Sequence, residues 1–253
     1  MHTLKLVHKL VHNDTRLIFR DQLILMLFAV AILSGLAARY ALPAIDNSLF
    51  ANGIMTGAKG GLRFADTYPL WVTYFGLWNS SQLPGTAFAF LLLGEKEDQT
   101  LLAMRVTPVP FAHYMGYRVA MPTLMALIFI TLVIPIIGLS PIPLPHQFAI
   151  ALGASLTAPI ITLLLAMFSD NKVQGFAYTK FTGVAGLILL VGWFIPEPWQ
   201  WALGLFPPYL IIKSYWMVLD HQSLWWLPLS AGTLLQTGLL AILIRRAQAT
   251  TLR

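Results

Sequence analysis

The sequence predicts an all-α polytopic membrane protein with six transmembrane helices, an N-terminal interfacial amphipathic helix and a re-entrant segment before the last span. Three observations predict it. Hydrophobic residues fill 57% of the 253 positions and charged residues only 10%, where a soluble domain carries about 25% charged. Several charge-free runs reach the roughly 20 residues that a spanning helix needs. The basic residues also fall mainly on one side once those runs are threaded through a bilayer. The net charge of +6 does not indicate nucleic acid, because sixteen Lys and Arg spread among apolar runs make no phosphate-binding face. No cysteine is present, consistent with a chain that carries no extracellular disulfides.

Within the N-terminal interfacial segment 1–21, residues 4–20 read as an amphipathic helix. Lys5, Lys9, His12, Arg16 and Arg20 recur every three or four residues and form one basic stripe. Leu4, Val7, Leu10, Val11, Leu17 and Ile18 take the opposite face, so the helix suits the surface of an anionic leaflet. The polar lead is also too long for the n-region of a signal peptide.

Six spans follow within residues 22–245, and 246–253 form a cytoplasmic tail. The first is Gln22–Ala38, with Arg39 and Tyr40 as interfacial anchors. The second is Thr67–Gly94. Val119–Ser169 carries no charge and divides at Pro141, Pro143 and Pro145 into spans Val119–Leu139 and Phe148–Phe168. The fifth is Ala177–Ile195, with Lys180 snorkelling, and the sixth is Leu224–Ile244. Residues 196–212 are too short and too broken by Pro207-Pro208 to span. They are expected to be re-entrant or to lie at the interface, where Trp and Tyr are favoured.

With both termini cytoplasmic, twelve basic residues lie inside and four (Arg39, Lys59, Arg63 and Lys213) outside. A seventh span would reduce this to nine against seven. Six spans is therefore the expectation, as a single membrane domain over 1–253.

Motifs for chemistry are sparse. Gly53 to Lys59 lacks Walker spacing, and the six histidines are too scattered for a metal site, so no cofactor or metal is expected in this chain. Two features remain. Asn79-Ser80-Ser81-Gln82 places four polar residues in the middle of the second span, followed by Pro84, which removes the bond to the Ser80 carbonyl and predicts a kink there. These four residues either bond neighbouring helices or line a translocation pathway. After that span, Glu95-Lys96-Glu97-Asp98-Gln99-Thr100-Leu101-Leu102-Ala103-Met104 reads as a short helix, with exposed acids at its start and an apolar edge of Leu101, Leu102 and Met104. It reads equally as an ordinary loop or as a docking helix.

The run from Phe90 through Glu95-Lys96-Glu97-Asp98-Gln99-Thr100-Leu101, on to Val106-Thr107-Pro108 and Tyr114-Met115-Gly116-Tyr117-Arg118, resembles the membrane subunits of type-2 ABC transporters. Its pattern is nearest to permeases named for fluoroquinolone or other drug export. The resemblance implies a permease of the bacterial inner membrane that pairs with a second permease, identical or related, and with two copies of a cytosolic ATPase that bind ATP and Mg. It makes residues 95–104 the coupling helix, residues 1–21 the connecting helix, and the second and fifth spans the lining of the pathway, with Asn79, Ser80, Ser81 and Gln82 on it. The almost wholly apolar fifth span favours a lipophilic or amphipathic substrate. The competing classes are an intramembrane enzyme, which would act alone, and a membrane scaffold; a permease would depend on its ATPase.

Overall fold

A computed structural model describes residues 18–53, 63–99 and 111–251. Every regular element among them is helical. Helix α1 covers Gln22–Ala51. It starts where the Asp21 carboxylate accepts the N–H groups of Leu23 (3.0 Å) and Ile24 (3.4 Å), two donors that a first turn leaves orphaned. It continues past the expected end at Tyr40, because Asp46, about one and a half turns from its C-terminus, is not an unpaired charge. Its carboxylate accepts from Arg63 Nη2 (2.9 Å) and from the Ala65 N–H (3.1 Å).

A 3₁₀ turn, Phe64–Thr67, leads into the expected second span, which is composite. Helix α2 (Tyr68–Thr73), a π-helical stretch (Tyr74–Asn79) and helix α3 (Ser80–Glu97) abut one another. The departure from α geometry expected at Pro84 thus lies one turn earlier. The Ser80 hydroxyl bonds back to the Phe75 carbonyl at 3.1 Å, across the wide turn, and α3 then accommodates Pro84 within it.

Helix α4, Phe111–Ile137, begins before the expected Val119. It ends at Gly138, whose φ of +65° places it in the left-handed region that closes helices; its N–H bonds the Ile134 carbonyl at 3.1 Å. The fourth expected span is two helices, α5 (Leu144–Ser155) and α6 (Thr157–Phe168), broken at Leu156. Pro159 has no N–H for the Ser155 carbonyl, which accounts for the break. Helix α7 is Lys172–Phe194, capped by Asn171, which accepts the Gln174 N–H at 2.9 Å.

Residues 196–212, expected to be re-entrant or interfacial, divide into a 3₁₀ turn, Trp199–Leu205, and helix α8, Pro207–Leu219. Helix α8 lies inside the bundle rather than on its surface. It is buried from Tyr209 to Val218 and runs seven residues beyond the expected Ile212. Helix α9, Trp226–Thr251, closes the described chain.

Among the described residues, five helical stretches are long and apolar enough to cross a membrane: Gln22–Ala51, Tyr114–Ile137, Leu144–Phe168, Lys172–Phe194 and Trp226–Ala247. The expected second span is interrupted by its π-helical stretch and polar quartet.

Burial divides the bundle into an inner and an outer set. The apolar window of Leu144–Phe168 is 72% buried, whereas those of α1 and α7 are 22% buried. Helix α3 is buried from Ser80 to Leu93 except at Gln82 and Leu83. So α3, α5–α6 and α8 make the core, and α1, α7 and α9 present Leu, Val, Ile and Phe outward, as hydrocarbon requires. The closest approach is α3 against α6. A Cβ on Gly85 would stand 2.6 Å from the Ala158 carbonyl oxygen, and the Thr162 hydroxyl donates to the Gly85 carbonyl at 2.8 Å. Small residues and a hydroxyl at a helix crossing are how apolar helices associate without a hydrophobic drive between them.

Candidate functional site

Residues 95–97 are the last turn of α3 rather than the start of a new helix. Asp98 caps that helix and Gln99 follows with φ +55°. Thr100, Leu101, Leu102 and Met104 lie outside the described residues, as do Lys5, Lys9, His12 and Arg16 of the basic stripe. Arg20, at its end, is exposed.

The expectation of exposed acids at Glu95 to Asp98 is corrected for Glu95. Its carboxylate forms an ion pair with Arg118 of α4, a side chain only 1% exposed. The Tyr114 hydroxyl donates to the same carboxylate at 2.5 Å and receives a bond from Arg118 Nε at 3.2 Å. The guanidinium also lies over the Tyr114 and Tyr117 rings, 5.2 and 5.6 Å from their centroids. Tyr114 and Arg118 are one helical turn apart and so share a face of α4. A charge can be buried here because a carboxylate, a phenol and two ring faces replace its water.

The next two residues bond to different elements. Lys96 Nζ donates to the Ser169 carbonyl (2.8 Å) and to Asp170 (2.7 Å). Its charge and hydrogen bond hold the Asp170 carboxyl below its ordinary value of 3.8. The Glu97 carboxylate accepts the Lys172 N–H at 2.7 Å and so stabilises the positive end of α7. Lys172 Nζ then reaches Asp21, the cap of α1, at 3.2 Å. Three consecutive residues of α3 thereby hold α4, the α6–α7 turn and α7, and through Lys172 the start of α1.

The polar quartet divides. Ser80 and Ser81 are buried, and Ser81 Oγ bonds both the Leu77 carbonyl (2.8 Å) and the Ala154 carbonyl (3.0 Å), tying the π turn to α5 just before its break. Gln82 Nε2 donates to Thr182 Oγ1 of α7 at 2.8 Å, so the two elements expected to line a pathway are bonded at that point. Asn79 is half-buried.

Beside this junction lies a cavity of about 510 Å³, walled by α6, α7 and α9 and ended by Phe206, Pro207 and Pro208. Thr182 and the residue before the quartet, Trp78, line it; residues 79–82 do not. On α8, Lys213 is buried, pairs with Glu197 and donates to Gln200 Oε1 at 2.6 Å. The charge count expects Lys213 outside the membrane; it lies on a buried helix. Among the described residues, no group of three His, Asp or Glu side chains is placed to hold a metal.

Long apolar helices around a broken, tightly bonded core define a multi-pass helical membrane protein, and the comparisons place it among drug-export permeases. Residues 14–244 match the family described as "Fluoroquinolones export permease protein Rv2686c-like", and the chain belongs to that family. Two relatives from Mycobacterium tuberculosis, the fluoroquinolones export permease proteins MT2760 (strain CDC 1551 / Oshkosh) and Rv2686c (strain ATCC 25618 / H37Rv), are each 33% identical over 240 residues, covering 94% of this chain and 92% of theirs. No solved structure matches.

Proposed function

We propose that this chain is the membrane-spanning subunit of an ATP-driven exporter, acting with a separate cytosolic ATPase. The observation that carries the proposal is the junction at Glu95, Lys96 and Glu97, which bonds α4, the α6–α7 turn and α7 at one end of the bundle. It leads directly into residues 98–110, the stretch in which the family resemblance continues the coupling element. A push on that stretch would act on several helices at once.

In this reading the composite Tyr68–Glu97 path also crosses the membrane, as the second of six spans, both termini are cytoplasmic, and the turn and helix at 199–219 form a re-entrant element. The exporter contains a second permease, identical or related, and two ATPase copies that bind ATP and Mg. The basic stripe from Lys5 to Arg20 lies on the inner leaflet of the bacterial inner membrane. The substrate is a lipophilic or amphipathic drug; the relatives' names point to a fluoroquinolone. Asn79 and Gln82, the half-buried members of the quartet, face the pathway.

Copurification from the native membrane tests the partnership. An ATP-binding-cassette protein is expected to come down with the wild-type chain and to be lost, or to hydrolyse ATP without transport, when Leu101→Ala is introduced. Recovery of the chain with no ATPase, together with catalytic activity of the chain alone, would overturn the proposal.

A further inference from the structure

The cavity of about 510 Å³ between α6, α7 and α9 is lined by sixteen side chains, none of them charged, and its walls are aliphatic and aromatic. The nitrogens of Gln236 and Trp78 beside it are themselves buried and offer a ligand no polar surface. The space therefore suits hydrocarbon and nothing that needs a hydrogen bond. Water would find too few polar partners there. Left empty, a void of this size would cost about as much as an ordinary domain's whole stability.

Its dimensions fit one fatty-acyl chain. At roughly 30 Å³ per methylene, close to the volume share of a water molecule, it holds about 17 methylenes. The lining along α6 runs from Thr157 to Phe168, about 16 Å of helix. The deep end is closed by Pro207, Pro208 and Phe206, whose ring lies 5.7 Å from that of Trp78.

The other end is open. Phe168 and Phe181 are 65% and 68% exposed. Tyr178 stands between them, its ring centroid 6.4 Å from Phe168 and 5.9 Å from Phe181, and tyrosine is favoured where hydrocarbon meets headgroups. Phe168 adjoins Ser169, whose carbonyl Lys96 holds, so the mouth lies at the junction end of the bundle.

Charge around that mouth is mainly basic. Helix α9 runs beside α6 in the same direction: Gln236 bonds Thr157, and further along Leu243 and Ala247 pack in one cluster with Leu163. Eleven residues beyond the Thr157–Gln236 bond, α6 reaches Phe168 and α9 reaches Ala247. Arg245 and Arg246, both exposed, thus stand at the level of the mouth. Lys180, next to Phe181 on α7, is also exposed and long enough to snorkel. Helices α6, α7 and α9 contain no Asp or Glu, and the neighbouring Asp170 is already engaged by Lys96 at 2.7 Å.

We infer that the cavity holds one acyl chain of a resident anionic phospholipid, inserted past Phe168 and Phe181 with its end toward Trp78 and its phosphate among Arg245, Arg246 and Lys180. Because the deep end is closed, the lipid is a component that joins α6, α7 and α9 rather than cargo. That the inner leaflet supplies it rests on the export reading above; the binding does not.

The test uses the full-length chain purified in mild detergent, without any ATPase. Native mass spectrometry is expected to find one phospholipid per chain, with phosphatidylglycerol favoured over phosphatidylcholine about tenfold. Lys180→Glu/Arg245→Glu, two exposed changes, should abolish that preference, and Leu164→Trp, which fills the cavity, should expel the lipid. In nanodiscs, phosphatidylglycerol carrying a 9,10-dibromostearoyl chain should quench the emission of Trp78, measured as the difference between the wild type and Trp78→Phe.

A lipid-free wild type, equal binding of the two headgroups, or Trp78 emission untouched by the brominated chain would overturn the inference. So would a lipid-free wild-type dimer that dissociates in Leu164→Trp; the cavity would then belong to an interface between two copies. None of these readouts involves transport, so failure of the export reading would leave them standing, and the reverse.

Discussion

Replacing Glu95 by Gln removes the carboxylate from a guanidinium that is 1% exposed. The substitution keeps an acceptor for the Tyr114 hydroxyl, so one hydrogen bond survives and the charge pairing is lost. Removing one member of a buried pair costs about 3–5 kcal/mol, mostly the penalty of the charge left behind. Glu95 is itself 14% exposed, so water relieves part of that penalty and about 3 kcal/mol is expected. The double variant Glu95→Gln/Arg118→Met removes both charges and should recover most of the loss, ending within about 1 kcal/mol of the wild type. Unfolding in mixed micelles, followed by helical circular dichroism, measures all three proteins. A Glu95→Gln protein within about 0.5 kcal/mol of the wild type, or a double variant no better than the single one, would refute the reasoning that this pair is buried and coupled.

Gly85→Ala places a methyl against the Ala158 carbonyl oxygen and must separate α3 from α6; a loss of about 1–3 kcal/mol is expected in the same unfolding assay, and an unchanged midpoint would contradict the close approach. The Lys96–Asp170 contact has a defined pH window. A lowered carboxyl pKa adds stability that is present above the ordinary 3.8 and lost as pH falls through the folded value. The contact should therefore be intact at neutral pH and released only in strong acid, as carboxyl NMR shifts would report; release near pH 6 would contradict it. For topology, single cysteines at the exposed Asn52 and Gln222 should react with an impermeant thiol reagent from outside, and ones at Gln99 and Asn171 should not. Gln147 is a poor probe, being buried with its amide on the Thr131 carbonyl.

The spans were legible because apolar length is a property of the chain alone: five of the expected spans fall on helices long and apolar enough to cross a membrane, and the second falls on a composite helical path. Their ends were not, since α1 continues to Ala51 only because Arg63, seventeen residues after Asp46, neutralises it. The break at Leu156 did have a local signal, Pro159, which is hard to see inside an unbroken apolar run. The acidic motif was legible as a place but not as a geometry. Acids suit a helix start in isolation, yet Glu95 ends a helix because Arg118, twenty-three residues on, holds it there. The family resemblance marked Tyr114 and Arg118 without a role, and their spacing of four was the available clue. Gln236 and Thr157 gave no signal at all, because their neighbourhood joins segments 79 residues apart.

ATP-dependent transport by the assembled complex is the most direct measurement. Inverted membrane vesicles that contain this chain and its copurifying ATPase should accumulate a fluoroquinolone when ATP and Mg are supplied. Accumulation should stop when either protein is omitted or when the ATPase is made hydrolysis-deficient. Equal accumulation by vesicles holding this chain alone, or none by the complete complex under turnover, would contradict the assignment of this chain as the membrane half of an ATP-driven drug exporter.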